Sequence, residues 1–324
     1  MIGDYRTQLR QFDQWRFWIS TADFALPRNK QALKTRIRNG IPPPLRGAVW
    51  QQLVQVEKFK QEGISSDLYL RLSSGAAPSV TVLSMIARDV NRTFPKHPLF
   101  RDQKAAGQQA LFKVLKAYAA FSPDVGYCQG MGFVCGVLLL HMEEAEAFTL
   151  LACLLKKFCL KGLYQPGLPL LDKYFFQFQR LLHSHMPGLS LHLRSEGVEP
   201  SMYLSGWLLT LFGYSLSLEC VARVWDVFFR DGEKMLMRTA LAVLKIYQDE
   251  LLSNSFEGIL EILKVGPSRV SPSLLLETAL QLKVRSSTLA ALEAEYLIAR
   301  AAAPLEAIPP ELSDCREHQD RGLV

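Results

Sequence analysis

No stretch of this 324-residue chain stays apolar long enough to cross a bilayer. Its longest apolar run, MGFVCGVLLLHM from Met131 to Met142, falls well short of the roughly 20 residues a membrane helix needs. The first residues, MIGDYRTQLR, carry no apolar leader core, and the closing DRGLV is no prenylation box. The expectation is a cytoplasmic protein. Lysine and arginine exceed the acids by six, but no basic run of the kind found in nucleic-acid arms occurs, so nucleic acid is not expected as a partner. The excess suits an acidic protein partner or an anionic membrane surface. The six cysteines (Cys128, Cys135, Cys153, Cys159, Cys220 and Cys315) form no CxxC pair. Five lie in apolar, helix-like segments and read as buried thiols, so no metal is expected. His183 and His185 fall on different helix faces, against a zinc site. The chain also lacks GxxxxGK[ST], HExxH, GxSxG and the kinase signatures. Phosphate chemistry here would have to use a nucleotide held by another protein.

With 49% hydrophobic and 21% charged residues, the chain has material for a full core. Its rhythm is helical throughout: LLACLLKKFCLKGLY, ALFKVLKAYAAF and CVARVWDVFF repeat apolar residues every three or four positions. No alternating run bounded by hairpin turns appears. Breakers near residues 40, 95, 124, 167, 199 and 268 cut the pattern into a dozen or more helices. The fold class is all-α. The expected organisation is an N-terminal helical extension over 1–36, a main domain over 37–252, C-terminal helices packed on it over 253–300, and a disordered tail over 301–324, where prolines and mixed charge gather. The aromatic residues of FDQWRFWIS are expected to dock the first helix on the body.

Four segments carry candidate chemistry. In VTVLSMIARDVNRTF, Val82, Leu83, Ile86 and Val90 form an apolar stripe, with Asp89 and Arg92 off it, three residues apart and on one face. On spacing alone this is a surface ion pair worth ~0–1 kcal/mol, or a helix-closing cation. In SPDVGYCQGMGFVCGVLLLHM, Gln129 stands at a helix start among Gly126, Gly130 and Gly132. Such a start favours anionic groups, and small neighbours permit close approach. The plain alternative is a polar residue at a helix start whose glycines serve packing. In NGIPPPLRGAVWQQL, Arg46 and Trp50 at i, i+4 can stack guanidinium on indole, a structural role. In the segment starting EPSMYLSGWLLTLF, Tyr203, Trp207 and Phe212 read as core, and Arg223 and Asp226 share a face of the next helix.

Taken together, GIPPPLRGAVW, IARDVNRTFP, GYCQG, PSMYLSGWLLTLF and RVWDVFF resemble, in order, the TBC domain family of Rab GTPase-activating proteins. The resemblance runs from about Ile37 to Leu252. It includes two family motifs, isoleucine-x-x-aspartate-x-x-arginine at Ile86, Asp89 and Arg92, and tyrosine-x-glutamine at Tyr127 and Gln129. It implies a V-shaped, two-lobed helical domain that activates a GTP-bound Rab by two fingers supplied in trans. Arg92 would neutralise charge on the transferring phosphoryl group, and Gln129 would orient the attacking water. Asp89 would hold the guanidinium, Tyr127 and Gly130 would aim Gln129, and Arg46 and Trp50 would support the site. No cofactor of its own is implied, since GTP and Mg²⁺ belong to the Rab. On this reading the chain regulates vesicle trafficking, visits endomembranes through the Rab or its basic surface, and is not itself an enzyme. The alternative is a non-catalytic TBC scaffold that binds a Rab or an effector. Cys128, between Tyr127 and Gln129, is expected to disturb Gln129 when a reachable thiol is modified.

Overall fold

The computed structural model describes residues 2–21, 29–75, 78–102 and 106–302, with residues 2–9 described by their backbone alone. The expected disordered tail lies outside the described residues from position 303 onward. Among the described residues there are eighteen α-helices and no strand. The first nine are α1 (Ile2–Ser20), α2 (Lys30–Asn39), α3 (Arg46–Val54), α4 (Val56–Gln61), α5 (Ser66–Ser74), α6 (Val80–Arg92), α7 (Ala106–Phe121), α8 (Met131–Leu139) and α9 (Glu144–Lys157). The rest are α10 (Pro169–His185), α11 (Pro187–Ser195), α12 (Leu204–Leu209), α13 (Leu218–Asp231), α14 (Glu233–Ile246), α15 (Gln248–Leu252), α16 (Phe256–Val265), α17 (Pro272–Gln281) and α18 (Ser286–Ala302).

Local chemistry sets many of the helix starts. Ser65, Ser79, Ser217 and Ser271 each accept a hydrogen bond from the backbone N–H three residues on, which satisfies a donor the first turn would otherwise leave free. Pro169, Pro187 and Pro272 stand in the first turn of their helices, where no intrahelical N–H bond is lost. Glu143 and Glu146 close a reciprocal box at the start of α9. Tyr203, Trp207 and Phe212, read as core, are buried but do not share one helix with the rest of that segment. Helix α12 is cut at Leu209, because Leu211 and Phe212 take left-handed backbone angles.

Packing divides into two lobes. In one, α7 and α9 gather α3, α4, α5, α6 and α8; in the other, α10 and α14 gather α11, α12, α17 and α18. Helix α13 joins them, touching α2 and α3 on one side and α14 and α17 on the other. The most buried helix, α8, carries the longest apolar run of the sequence. Trp15 docks α1: it is buried, and its indole N–H donates to the Gly40 carbonyl at 3.1 Å. No helix among the described residues is long and apolar enough to cross a membrane.

Candidate functional site

Helix α6 ends with Arg92, and the turn before α8 carries Gln129. What joins them is Asp89. The sequence placed Asp89 off the buried stripe as half of a surface pair. Instead it is 3% exposed and faces inward, because α8 and the Tyr127 turn cover that side of α6. A carboxylate removed from water needs donors on both oxygens. Oδ1 accepts from Arg92 through Nε and Nη2. Oδ2 accepts from the Tyr127 hydroxyl and from the Gly130 backbone N–H at 3.2 Å. Burial and the neighbouring carboxylate push the Tyr127 hydroxyl up from its usual range, so it remains a donor at any working pH.

Arg92 behaves differently from its partner. Its side chain is 47% exposed, and only one edge of the guanidinium is taken by Asp89. The outer edge meets exposed Gln129. With the amide oxygen turned toward Arg92, Gln129 Oε1 accepts from Nη2 at 3.0 Å and Nη1 at 3.3 Å. The opposite amide orientation would set donor against donor, so hydrogen bonding selects this one. The arrangement is a relay from buried carboxylate to guanidinium to surface amide.

The glycines here have steric work to do. Gly130 caps α8 at φ 111°, and a Cβ there would lie 2.8 Å from the Leu209 carbonyl oxygen. Any side chain would therefore shift the residue next to Gln129. A Cβ on Gly132 would lie 2.9 Å from Thr93 Oγ1 and 3.7 Å from Asp89 Oδ2. Thr93, fully buried, donates to the Asp89 carbonyl at 2.7 Å and closes α6. Sequence reasoning missed the part played by Thr93; the small residues facing it were the available signal.

Arg46 and Trp50 do not join this cluster. They do not stack as expected; both donate to buried Asp226, Arg46 Nε at 3.3 Å and Trp50 Nε1 at 2.9 Å. Trp50 instead meets His141 edge-to-face at 4.7 Å and packs against Trp225 and Phe229. Arg223 completes the node, donating to Asp226 at 3.2 Å and to the Ile37 and Arg38 carbonyls at 3.3 and 2.6 Å. The shared face of Arg223 and Asp226 was legible. The hub was not, although an aspartate amid VWDVFF demands partners. This node ties α13 to α2 and α3.

Cys128 is half-buried. Burial first, then the nearby Asp89 charge, pushes its thiol up from the ordinary value. It is held beside Gln129, since the Cys128 N–H meets Met131 Sδ at 3.5 Å. Cys135, Cys153 and Cys220 are buried, and Cys315 lies outside the described residues. No group of three or more His, Cys, Asp or Glu residues suited to a metal occurs among the described residues.

The sequence and the fold have counterparts. Residues 43–252 match the family model described as the Rab-GTPase-TBC domain. The human "Ecotropic viral integration site 5 protein homolog" is 33% identical over 88% of this chain and 35% of its own length. The Caenorhabditis elegans "Rab GTPase-activating protein tbc-11" is 36% identical over 82% of this chain and 29% of its own. The chain therefore spans about a third of the length of these relatives. The crystal structure of a Chlamydomonas flagellar RabGAP TBC domain superposes with a TM-score of 0.72 at 30% identity, covering 85% of this chain and 92% of that one. One expectation is overturned. The reading that the chain is not itself an enzyme but an activator completing a partner's active site does not fit a chain grouped with proteins named for activating a GTPase, an activity that consists of stimulating hydrolysis. The match over 43–252 makes this chain a member of the Rab-GTPase-TBC domain family.

Proposed function

We propose that this chain accelerates GTP hydrolysis by a Rab-family small GTPase, supplying Arg92 and Gln129 to the nucleotide site of its GTP-bound partner. One observation carries this reading. Two exposed side chains suited to phosphoryl transfer stand in contact, aimed from beneath by one buried carboxylate.

The chemistry follows from what each group has free. Transfer of a phosphoryl group to water spreads charge over equatorial oxygens, and a planar guanidinium can meet two of them at once. Asp89 takes the inner edge of Arg92 and leaves the outer edge for the phosphoryl oxygens. Those oxygens displace Gln129 from Arg92. The freed amide, with both a donor and an acceptor, then aligns the attacking water without removing its proton. Holding both groups in place beforehand lowers the entropy to be lost on reaching the transition state. An arginine supplied in trans is worth about 10³–10⁵ in rate, roughly 4–7 kcal/mol of barrier. An ordinary exposed ion pair is worth ~0–1 kcal/mol, too little to require a buried four-donor anchor. GTP and Mg²⁺ are the partner's. By resetting a Rab to its GDP form, the activity would regulate vesicle trafficking at endomembranes.

Single-turnover hydrolysis by a panel of GTP-loaded Rab proteins tests the reading. Wild type should accelerate a subset, with Arg92→Ala and Gln129→Ala each losing that acceleration. Retained binding to GTP-loaded Rab without acceleration of any member would replace catalysis with a scaffold role.

A further inference from the structure

We infer that Tyr214 is a contact and selectivity residue for the partner GTPase, presented beside Arg92 and Gln129 by a strained turn; this rests on the function proposed above. The turn follows α12. Leu211 and Phe212 take φ of 43° and 67°, left-handed values that large side chains rarely adopt and that persist only where the surroundings enforce them. Enforcement comes from two sides. The Phe212 N–H donates to the Trp207 carbonyl at 2.6 Å, and the Trp225 indole N–H donates to the Leu211 carbonyl at 2.9 Å.

The result is selective display. From Thr210 to Leu216 every residue is buried except Tyr214, which is 67% exposed. Its backbone N–H is held by Thr210 Oγ1 at 3.4 Å, while its hydroxyl has no partner among the described residues. Single exposed apolar residues are common on proteins. What sets Tyr214 apart is a strained, clamped backbone that buries all its neighbours and turns an aromatic ring outward.

Its place in the fold supplies the partner. Leu209, where α12 ends, has its carbonyl against Gly130, the residue after Gln129. Gly213 is close enough to Phe133 that an added Cβ would lie 3.3 Å from the Phe133 Cβ. The Phe133 ring meets Tyr214 edge-to-face at 5.3 Å and also meets Phe94 edge-to-face at 5.3 Å. Phe94 is two residues beyond Arg92. Two ring-to-ring steps thus connect the exposed tyrosine to the segment that carries the arginine. A standard interface covers about 800 Å² per partner, a patch of roughly 15 Å radius. With Tyr214 tied through Phe133 and Phe94 to the segment that carries Arg92, a GTPase docked over Arg92 and Gln129 would reach it. Tyrosine is enriched among residues that dominate binding, and this ring is already fixed against Phe133, so little freedom is lost on contact. Because Tyr214 stands outside the relay, it acts on affinity and partner choice and leaves the chemical step alone.

The test titrates the chain against GTP-loaded Rab proteins in single-turnover hydrolysis, and in equilibrium binding with the same Rabs carrying a non-hydrolysable GTP analogue. Tyr214→Ala should raise the half-saturating concentration about tenfold or more, by different factors for different Rabs, with the maximal rate within about twofold of wild type. Arg92→Ala should do the reverse. Tyr214→Gln carries the same expectation should the alanine variant melt early. A Tyr214→Ala effect below about twofold on binding and half-saturation for every Rab would overturn the inference, as would wild type binding none of them. Full maximal rate in Arg92→Ala would instead remove the proposed finger role, while the binding arm still decides Tyr214.

Discussion

Asp89 and Asp226 are both buried, and both are ringed by arginine and a second side-chain donor, yet the arginines they hold differ. At Asp226 the guanidiniums are enclosed: Arg46 is itself buried, and Arg223, its side chain 18% exposed, also donates to the Ile37 and Arg38 carbonyls. At Asp89 the guanidinium is held by one edge and remains half exposed, with only a surface amide on its outer side. The first arrangement closes a network, as a buried charge requires. The second leaves an unfinished one at the surface, which a ligand can complete. What distinguishes the candidate catalytic arginine from the structural ones is therefore the solvent-facing edge it keeps once its aspartate is satisfied.

That contrast can be broken first at Arg92. Arg92→Ala should lower stimulated hydrolysis about 10³–10⁵-fold, with a smaller loss of stability than at Asp226, because water can reach the Asp89 oxygen that this half-exposed side chain leaves. Asp226→Ala should show the inverse emphasis. It strands Arg46 and Arg223 in the interior, and should cost about 3–5 kcal/mol of stability in denaturant unfolding. Asp89→Asn keeps the shape but loses the charge that fixes Arg92. Displacement of an aimed group by an ångström costs about 10²-fold, so a rate loss of that order is expected, with KM for the Rab nearly unchanged.

Acid should separate the two nodes further. Burial, and then the Arg46 charge, lower His141 from 6.5 to about 4. It packs on Trp50 at the Asp226 node. In the unfolded chain the imidazole takes up its proton near its ordinary value, whereas the folded chain resists until about 4. Stability is thus complete above about pH 6.5 and declines as pH falls toward 4, by up to ~1.4 kcal/mol per pH unit. His141→Gln should flatten that decline in unfolding measured between pH 7 and 4. The smallest effect concerns Cys128. Its raised thiol should react slowly with iodoacetamide at neutral pH and faster as pH rises. Modification at Cys128, verified by mass, should depress stimulated hydrolysis through Gln129; unchanged activity would remove that link.

Much of this was legible in the sequence because it is local. Helical periodicity and breakers gave the all-α class, and the three-residue spacing put Asp89 and Arg92 together. Other features depend on contacts no local pattern encodes. Asp89 became an inward anchor through Tyr127, 38 residues away, and Arg46 found Asp226 across 180 residues. The break after Leu209 was hidden because Leu211 and Phe212 adopt backbone angles usually left to glycine or asparagine. A hydrogen bond from the Trp225 side chain and one back to the Trp207 carbonyl, not residue preference, set them there.

The most direct measurement is a structure of this chain bound to a responsive Rab carrying GDP and a planar aluminium fluoride in place of the transferring phosphoryl group. The account predicts that Arg92 keeps its inner edge on Asp89 while its outer edge meets the fluoride, and that Gln129 leaves Arg92 for the in-line water. Arg92 still paired with Gln129, with neither reaching the nucleotide, would contradict it.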